Sequence, residues 1–337
     1  MIEEVVIEKL VLHILDGSIG MPILSECEHP EDSDINDFIR AHIEKVFKDI
    51  NIKKACFENE DNEIKDLCEK IIDDKENFLG ISKKLAEKLY SIIIKNVNIP
   101  SCDLVCSVFN GDGKSFLGLF ILNYKTSYIH YIEELEGGKV NKVIKQVTTL
   151  PSTSQSIDEF VIIDLSDYTI HLKEKKHDID GIKEYYLSKY FLKSQTFLSD
   201  KEKIDIINKT SKKMINDYYD GDVKKMADMK TAIKESIEEN DNIDIEQIKQ
   251  KTFKDNLELQ NIYSEELEVK GITEKNISLN ENVVKKIPKT QRLVTEDGIE
   301  LKIPISFLNS QEKVEFTNNV DGTISILLKN IRDIQDK

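Results

Sequence analysis

Two short groups of residues have types and spacing that could support chemistry on phosphate. The first is Gly111-Asp-Gly-Lys-Ser115, which is similar to the end of a phosphate-binding loop. Such a loop needs an earlier glycine, at position 108, and it leads into a helix. This chain has Val108 there, and the segment lies between two predicted strands. We therefore expect a hairpin turn, with Lys114 at its tip still able to touch a phosphate.

The second group is Asp164, followed ten residues later by Glu174 and Lys176. Two carboxylates and a lysine near strand ends form the loose pattern of a metal-dependent nuclease, in which the acids hold Mg²⁺ and the lysine stabilises charge. The pattern is short, and 33% of the residues in this chain are charged. Glu174-Lys175-Lys176 more simply marks the solvated end of a strand. A nuclease is thus a distant alternative. No cysteines and histidines have zinc-finger spacing, and we expect neither a metal nor a cofactor.

Three clusters of basic residues, here called islands 1, 2 and 3, stand out in a chain of net charge −16. Each is more commonly a solvated surface, but their coexistence in so acidic a chain makes them candidate phosphate contacts. All but three of the 47 basic residues are lysines, which argues against base readout by arginine. The candidates are Lys139, Lys142 and Lys145 in island 1; Lys201, Lys203, Lys209, Lys212 and Lys213 in island 2; and Lys285, Lys286, Lys289 and Arg292 in island 3.

Island 2 coincides with a predicted helix. Lys209, Lys212 and Lys213 are three and four residues apart, so they share one helical face. Ile207 and Met214 would point the other way, into a bundle. The lysine face is therefore expected to be free to meet phosphates.

The elements that must position these residues indicate an α+β fold. Helical spacing follows Asp34, and six strand candidates lie between Asp103 and Leu172, separated by short turns. They predict a mainly antiparallel sheet, with the preceding helices covering one face. Helical spacing then dominates. The predicted divisions are an α+β domain (1–178), a helical region (179–273), a linker (274–292) and a small β module (293–337).

The β module carries the clearest strand pattern. Ile299, Leu301 and Ile303 alternate with charged residues, which indicates a half-buried strand. Asp297-Gly298 and Asp321-Gly322 are turn pairs, because glycine accepts the positive φ that such turns need. The chain is thus expected to close with strand, connector, strand, turn and strand.

This ending resembles the C-terminal part of the bacterial nucleoid-associated protein family. Ile7 to Ile14 is similar to the first strand of that family, Cys102 to Tyr124 to its paired core strands, and Tyr185 to Leu198 to its central aromatic helix. The resemblance implies a protein of the compacted bacterial chromosome. It brings no catalytic signature, so it implies a non-enzymatic role.

Composition limits the remaining classes. No apolar run approaches the roughly 20 residues of a membrane span. The N-terminus is acidic, which is not typical of a secretory signal, and the five cysteines are an odd number, as expected of reduced thiols in the cytoplasm. We therefore expect a cytoplasmic, nucleoid-located protein that binds duplex DNA weakly and largely without sequence preference. The main alternative is an interaction module whose acidic faces dock basic or DNA-binding proteins. Homo-oligomerisation stays open.

Overall fold

The structure is a computed structural model that describes residues 4–240, 242–254, 256–310 and 312–333. The chain divides into two compact units, Met1–Phe197 (unit 1) and Leu198–Lys337 (unit 2). Helices and strands occur in both, and the prediction of an α+β fold with a mainly antiparallel sheet is confirmed.

Unit 1 is built around one large sheet. Its elements are β1 (Val6–Leu15), α1 (Ser33–Val46), β2 (Lys53–Phe57), α2 (Glu63–Asp73), a 3₁₀ turn (Lys75–Asn77), α3 (Phe78–Ile93), β3 (Cys102–Gly111), β4 (Lys114–Asn123), β5 (Lys125–Leu135), β6 (Gly138–Thr149), β7 (Glu159–Asp164), β8 (Ile170–Lys173), β9 (Lys176–Ile179), β10 (Ile182–Tyr185), a π-helix (Leu187–Leu192) and β11 (Ser194–Thr196).

The large sheet has seven strands in the order β1-β3-β4-β7-β8-β2-β11, and every neighbouring pair is antiparallel. Strands β5 and β6 are not part of it. They pair only with each other among the described residues and form a separate two-stranded hairpin. No pattern in the sequence distinguishes these two strands from the other four candidates.

Helices cover both faces of the sheet, so the expectation of helices on one face is wrong. On β3, Leu104 and Cys106 pack in one core with α2 and α3, whereas Val105 and Phe109 pack in a second core with α1. Strands buried on both faces are continuous apolar runs, whereas strands covered on one face alternate. The run Phe116–Leu122 on β4 is of the continuous kind, so the sequence already indicated two covered faces.

Residues 179–197, assigned by sequence to the helical region, lie in unit 1 as the last residue of β9, β10, the π-helix and β11. The stretch Tyr185 to Leu198, expected as an aromatic helix, is thus a short π-helix followed by an edge strand. The π-helix ends at Lys193, which has a left-handed φ of 51°.

Unit 2 is a helical core with two small hairpins. Its elements are α4 (Asp200–Tyr219), α5 (Val223–Asn240), β12 (Asn242–Asp244), α6 (Ile245–Thr252), α7 (Leu257–Val269), β13 (Asn276–Ser278), α8 (Glu281–Val284), β14 (Thr290–Val294), β15 (Glu300–Pro304), α9 (Ile305–Leu308), β16 (Val314–Asn318) and β17 (Ile324–Leu328).

The two predicted glycine turns are confirmed. Gly298 lies between the paired strands β14 and β15, Gly322 lies between β16 and β17, and each has a φ of 83°. Residues 274–292, predicted as a linker, include β13, paired with β12, and the helix α8. The proposed division of the chain at this segment stays a prediction.

Candidate nucleic-acid interface

Helix α4 positions island 2. Ser199 caps it: the Ser199 hydroxyl accepts the Glu202 backbone N–H at 3.2 Å, and the Glu202 carboxylate accepts the Ser199 backbone N–H at 2.9 Å. Ile207 and Met214 are buried in the core of unit 2, as the sequence predicted. The buried stripe fixes the rotation of the helix, and it leaves four lysines exposed: Lys201, Lys209, Lys212 and Lys213.

Nearby acids partly neutralise this island. Lys203 is half-buried and lies 3.0 Å from Glu274, and Lys213 lies 3.4 Å from Glu266 on α7. Lys201, Lys209 and Lys212 form no ion pair with any residue that the structure describes. These three cations are therefore the best placed in island 2 to meet a phosphate.

Island 3 also contains both cations that form ion pairs and cations that do not. Lys285 lies 3.3 Å from Glu281, and the Arg292 guanidinium contacts the Glu300 carboxylate across the β14–β15 pair. Lys286 and Lys289 are exposed, and over the described ranges neither has an ion-pair partner.

A cavity of about 660 Å³ in unit 2 brings islands 2 and 3 together. Lys212 of island 2 and Arg292 of island 3 both line it, and Lys230 and Lys234 of α5 add two cations that the sequence analysis did not single out. The remaining lining residues are apolar or uncharged, and none of those that the structure describes is acidic. Two of these cations are paired with acids outside the lining, Arg292 with Glu300 and Lys234 with Glu238 at 3.3 Å. Lys212 and Lys230 are the cations of the cavity without an acidic partner among the described residues.

Lys230, one of the cations that line the cavity, has a shifted pKa. Burial lowers the pKa of Lys230 below its usual value, and the nearby charge of Lys212 lowers it further. Its ammonium group donates a hydrogen bond to the Gln291 side chain, which is a neutral partner. Burial is the larger of the two causes, so only the smaller effect of Lys212 reflects like charge nearby.

Island 1 lies in unit 1, on β6 of the separate hairpin. Lys139 lies 3.2 Å from Glu134 and Lys142 contacts Glu133, so two of its three cations face acids on β5. Lys145 is opposite Tyr128 in the register. The structure therefore groups islands 2 and 3 in one unit and places island 1 in the other.

A comparison of the sequence with known protein families assigns the chain to a family. The sequence matches the family described as nucleoid-associated protein YejK over residues 11–334, which is nearly its whole length.

The chain belongs to the nucleoid-associated YejK family.

The family resemblance recognised in the sequence is therefore confirmed, and membership supports a role at the chromosome. A search of curated proteins found no match. Over the described ranges, the YejK-family chain has no helix with the length and apolar character needed to cross a bilayer.

The glycine-rich segment of this YejK-family chain is a hairpin turn, as expected. Asp112 and Gly113 connect β3 to β4 with φ values of 51° and 76°, the two positive values typical of a two-residue hairpin loop. The Lys114 ammonium contacts the buried Asp164 carboxylate and lies 4.0 Å from Asp167. Its charge is thus already engaged within unit 1.

The structure does not bring the nuclease-like residues together. In the β7–β8 pair, Ile163 faces Ile170 and Phe160 faces Lys173, so Asp164 and Glu174 lie at opposite ends. Five residues of strand separate them, about 16 Å. Lys176 is on β9, over the Tyr185 ring. Among the described residues, no group of three or more His, Cys, Asp or Glu side chains is arranged to hold a metal.

Sequence reasoning missed a buried polar cluster in unit 1. Glu159 is fully buried, accepts the Lys175 backbone N–H at 3.0 Å, lies 3.2 Å from the His177 Nε2 atom and accepts the Tyr186 hydroxyl at 3.3 Å. The hydrogen bond to Glu159 raises the pKa of His177 despite burial. No motif marks this cluster, because Glu159 on β7 is distant in sequence from His177 on β9 and from Tyr186, which precedes the π-helix.

Proposed function

We propose that this YejK-family protein binds duplex DNA in the cytoplasm as a non-enzymatic component of the nucleoid. Binding is weak, sensitive to salt and largely independent of sequence. The observation that carries the proposal is the convergence of islands 2 and 3 on a surface of unit 2 whose described lining includes four cations and no acid.

The distribution of charge favours unit 2 as the DNA-binding unit. Unit 1 has 35 acidic and 24 basic residues, a net of −11, whereas unit 2 has 28 acidic and 23 basic residues, a net of −5. DNA repels a uniformly acidic surface, so an approach through the less acidic unit is favoured electrostatically.

The types of basic residue favour binding through the backbone of DNA. Lysine acts as a point charge on phosphates, whereas specific reading of bases relies most often on arginine pairs with guanine. Arg292 is the single arginine in the three islands, and its guanidinium already contacts Glu300. Phosphate contacts position a protein on the duplex but carry no sequence information directly.

A salt series tests the electrostatic part of the proposal. Three to five phosphate contacts give a slope of roughly −3 to −4.5 in a plot of log affinity against log salt concentration. Fluorescence anisotropy with a labelled duplex, repeated on duplexes of different sequence, measures both the slope and the preference. Affinity that does not change with salt would contradict the proposal.

A matched pair of triple variants tests the location. Replacing Lys209, Lys212 and Lys289 by Glu removes three exposed cations of islands 2 and 3 that form no ion pair with any described residue. It should reduce the salt slope by about 0.9 for each lost contact and weaken binding sharply.

The control replaces three exposed lysines of unit 1, Lys48, Lys95 and Lys183, by Glu. The net charge of the protein changes by the same amount, so the control should bind DNA nearly as the parent does. If the two variants lose affinity equally, the effect comes from bulk charge and the proposed surface is wrong.

A second candidate function is docking of basic or DNA-binding proteins, which the net charge of −11 on unit 1 favours. DNA binding by the purified protein, compared with its location in cells, distinguishes the two candidate functions. A purified protein that does not bind DNA at low salt, but still co-localises with the chromosome in cells, supports the partner-mediated function.

A further inference from the structure

The hairpin β5–β6 exposes an unusual amount of apolar surface. Eight large apolar side chains on it are exposed, among them Val143 at 76% and Tyr128 at 69%. The others are Ile129, Tyr131, Ile132, Leu135, Val140 and Val147. Side chains alternate along a strand, so these residues lie on both faces of the hairpin. Isolated hairpins are marginally stable in water, and this much exposed apolar surface is typical of an interaction site.

Both outer edges of the hairpin are also available for pairing. Each strand forms ladder hydrogen bonds only with the other, and none of the backbone hydrogen bonds found for the described residues reaches the outer edge of either strand. An exposed, long and apolar edge is a template for another strand. The occupant that pairs with it must therefore supply a strand and apolar side chains.

The distribution of charge distinguishes the two edges. Strand β6 has lysines at 139, 142 and 145 and no acid, so antiparallel pairing of two copies of β6 would place lysines against lysines. Strand β5 is different, because it has a base at its start, Lys125, and an acid near its end, Glu133. Antiparallel pairing of two copies of β5 can therefore match opposite charges.

We propose that two copies of this chain associate through the β5 edges of their hairpins, forming a four-stranded antiparallel sheet. A two-fold axis requires one residue to lie opposite its own copy, and only with Ile129 on the axis does Lys125 of each chain lie directly opposite Glu133 of the other. The same register places Tyr131 opposite Ser127 and Tyr128 opposite His130. Closed two-fold contacts of this kind bury the same patch on both subunits.

The register also keeps matched residues on one face. Side chains alternate along a strand, so the odd-numbered residues of β5 from Lys125 to Glu133 share a face. The pairing of β5 with β6 shifts by one residue near the base of the hairpin. The extra residue lies in β6, between Gln146 and Thr149, so the alternation of side chains along β5 is unchanged. Within its own chain, Glu133 contacts Lys142 and Lys125 lies 3.6 Å from Asp158, so the association would join two existing ion pairs into a network.

A charge swap tests the pairing in the full chain. The single variants Lys125→Glu and Glu133→Lys each replace two attractions in the dimer by two repulsions. Cross-strand charge pairs contribute modestly, so each single variant should weaken the dimer by about tenfold in Kd. The double variant restores both opposite-charge pairs between chains, although it does not restore the contacts that either residue makes within its chain. Recovery of the dimer in sedimentation velocity would thus report the interchain pairs.

Cross-linking tests the register. In a background with the exposed Cys27 and Cys56 replaced by serine, Ile129→Cys should form an interchain disulfide on mild oxidation, because this position lies on the proposed axis. Val143→Cys is the control, since it lies on β6 and is more exposed than Ile129, 76% against 46%, so poor access cannot explain a failure to cross-link there. Circular dichroism and thermal unfolding establish that every variant is folded.

Three results overturn the proposal: a parent protein that stays monomeric at all concentrations, a dimer unaffected by both single charge changes, or cross-linking through position 143 and not 129. The measurements contain no DNA, so their outcome is independent of the proposed DNA binding.

Discussion

Replacing Glu159 by Gln should destabilise unit 1 and remove the part of the pH dependence of its stability that comes from His177. The carboxylate accepts hydrogen bonds from Lys175, His177 and Tyr186 in a fully buried position. Glutamine has nearly the same shape but only one acceptor oxygen, so at least one buried donor loses its partner. A buried group left unsatisfied destabilises by about 1–3 kcal/mol, and hydrogen bonds to a charged group are the stronger ones.

We therefore expect a loss of about 2–3 kcal/mol in the free energy of unfolding. For a unit of this size, that corresponds to a fall of roughly 4–12 °C in Tm. Urea unfolding followed by circular dichroism measures the change. Glu58→Gln is the control, because Glu58 is exposed and its replacement should change the free energy of unfolding by no more than about 0.5 kcal/mol.

The sign of the pH dependence follows from His177. Its pKa is raised in the folded protein, so protonated His177 stabilises the fold below the unfolded pKa, and this contribution is lost as pH rises through the folded pKa. Both ring nitrogens face acceptors, Glu159 at Nε2 and the Asn98 carbonyl at Nδ1, which suits the doubly protonated ring. The difference in stability between parent and variant should thus be largest near pH 6 and shrink as pH rises.

An NMR titration of His177 separates this mechanism from a general packing defect. With the carboxylate gone, burial remains as the main influence, and the pKa of His177 should fall. A His177 pKa that stays raised in the Glu159→Gln variant would refute the reasoning, whatever the change in Tm.

Three further outcomes are expected. Gly118→Ala should destabilise unit 1 by about 1–3 kcal/mol, because the new methyl group would lie 2.6 Å from a buried phenylalanine ring; Gly17→Ala, whose methyl group would meet nothing closer than 3.9 Å, is the control, and equal unfolding free energies would contradict this. In the native protein a thiol reagent should modify Cys27 and Cys56 rapidly, since burial raises the pKa of the other three thiols; rapid modification of all five would contradict the packing. Limited trypsin digestion should cut first within 274–292, at its exposed lysines, and resistance there would argue against the predicted domain division.

Local patterns in the sequence predicted many of the elements correctly. Val108 at the place of the required glycine predicted a hairpin rather than a phosphate loop, because the loop and the turn need different residues within a few positions of each other. The turns at Gly298 and Gly322 could be predicted for the same reason, since a positive φ is a property of a single residue.

The candidate site could be predicted only in part. The helical spacing of Lys209 and Lys212 correctly placed them on an exposed face, since one helix determines that face. The cations Lys230 and Lys234 were missed, because only the packing of α5 beside α4 and β14 brings them to the same cavity as Lys212 and Arg292. Contacts with Glu266 or Glu274, which neutralise other lysines, also depend on residues distant in sequence.

By itself, the sequence determined the family, the α+β class, the turns and the exposed face of α4, because each depends on residue types within a short stretch or on the pattern of the chain as a whole. Only the tertiary structure decided that α1 covers one face of the sheet and α2 and α3 the other, that β5 and β6 stand apart from it, and that Asp164 and Glu174 lie at opposite ends of a strand pair. These features depend on which strands pair and in which register. Pairing joins residues far apart in the chain, and apolar runs of similar composition fit several partners equally well.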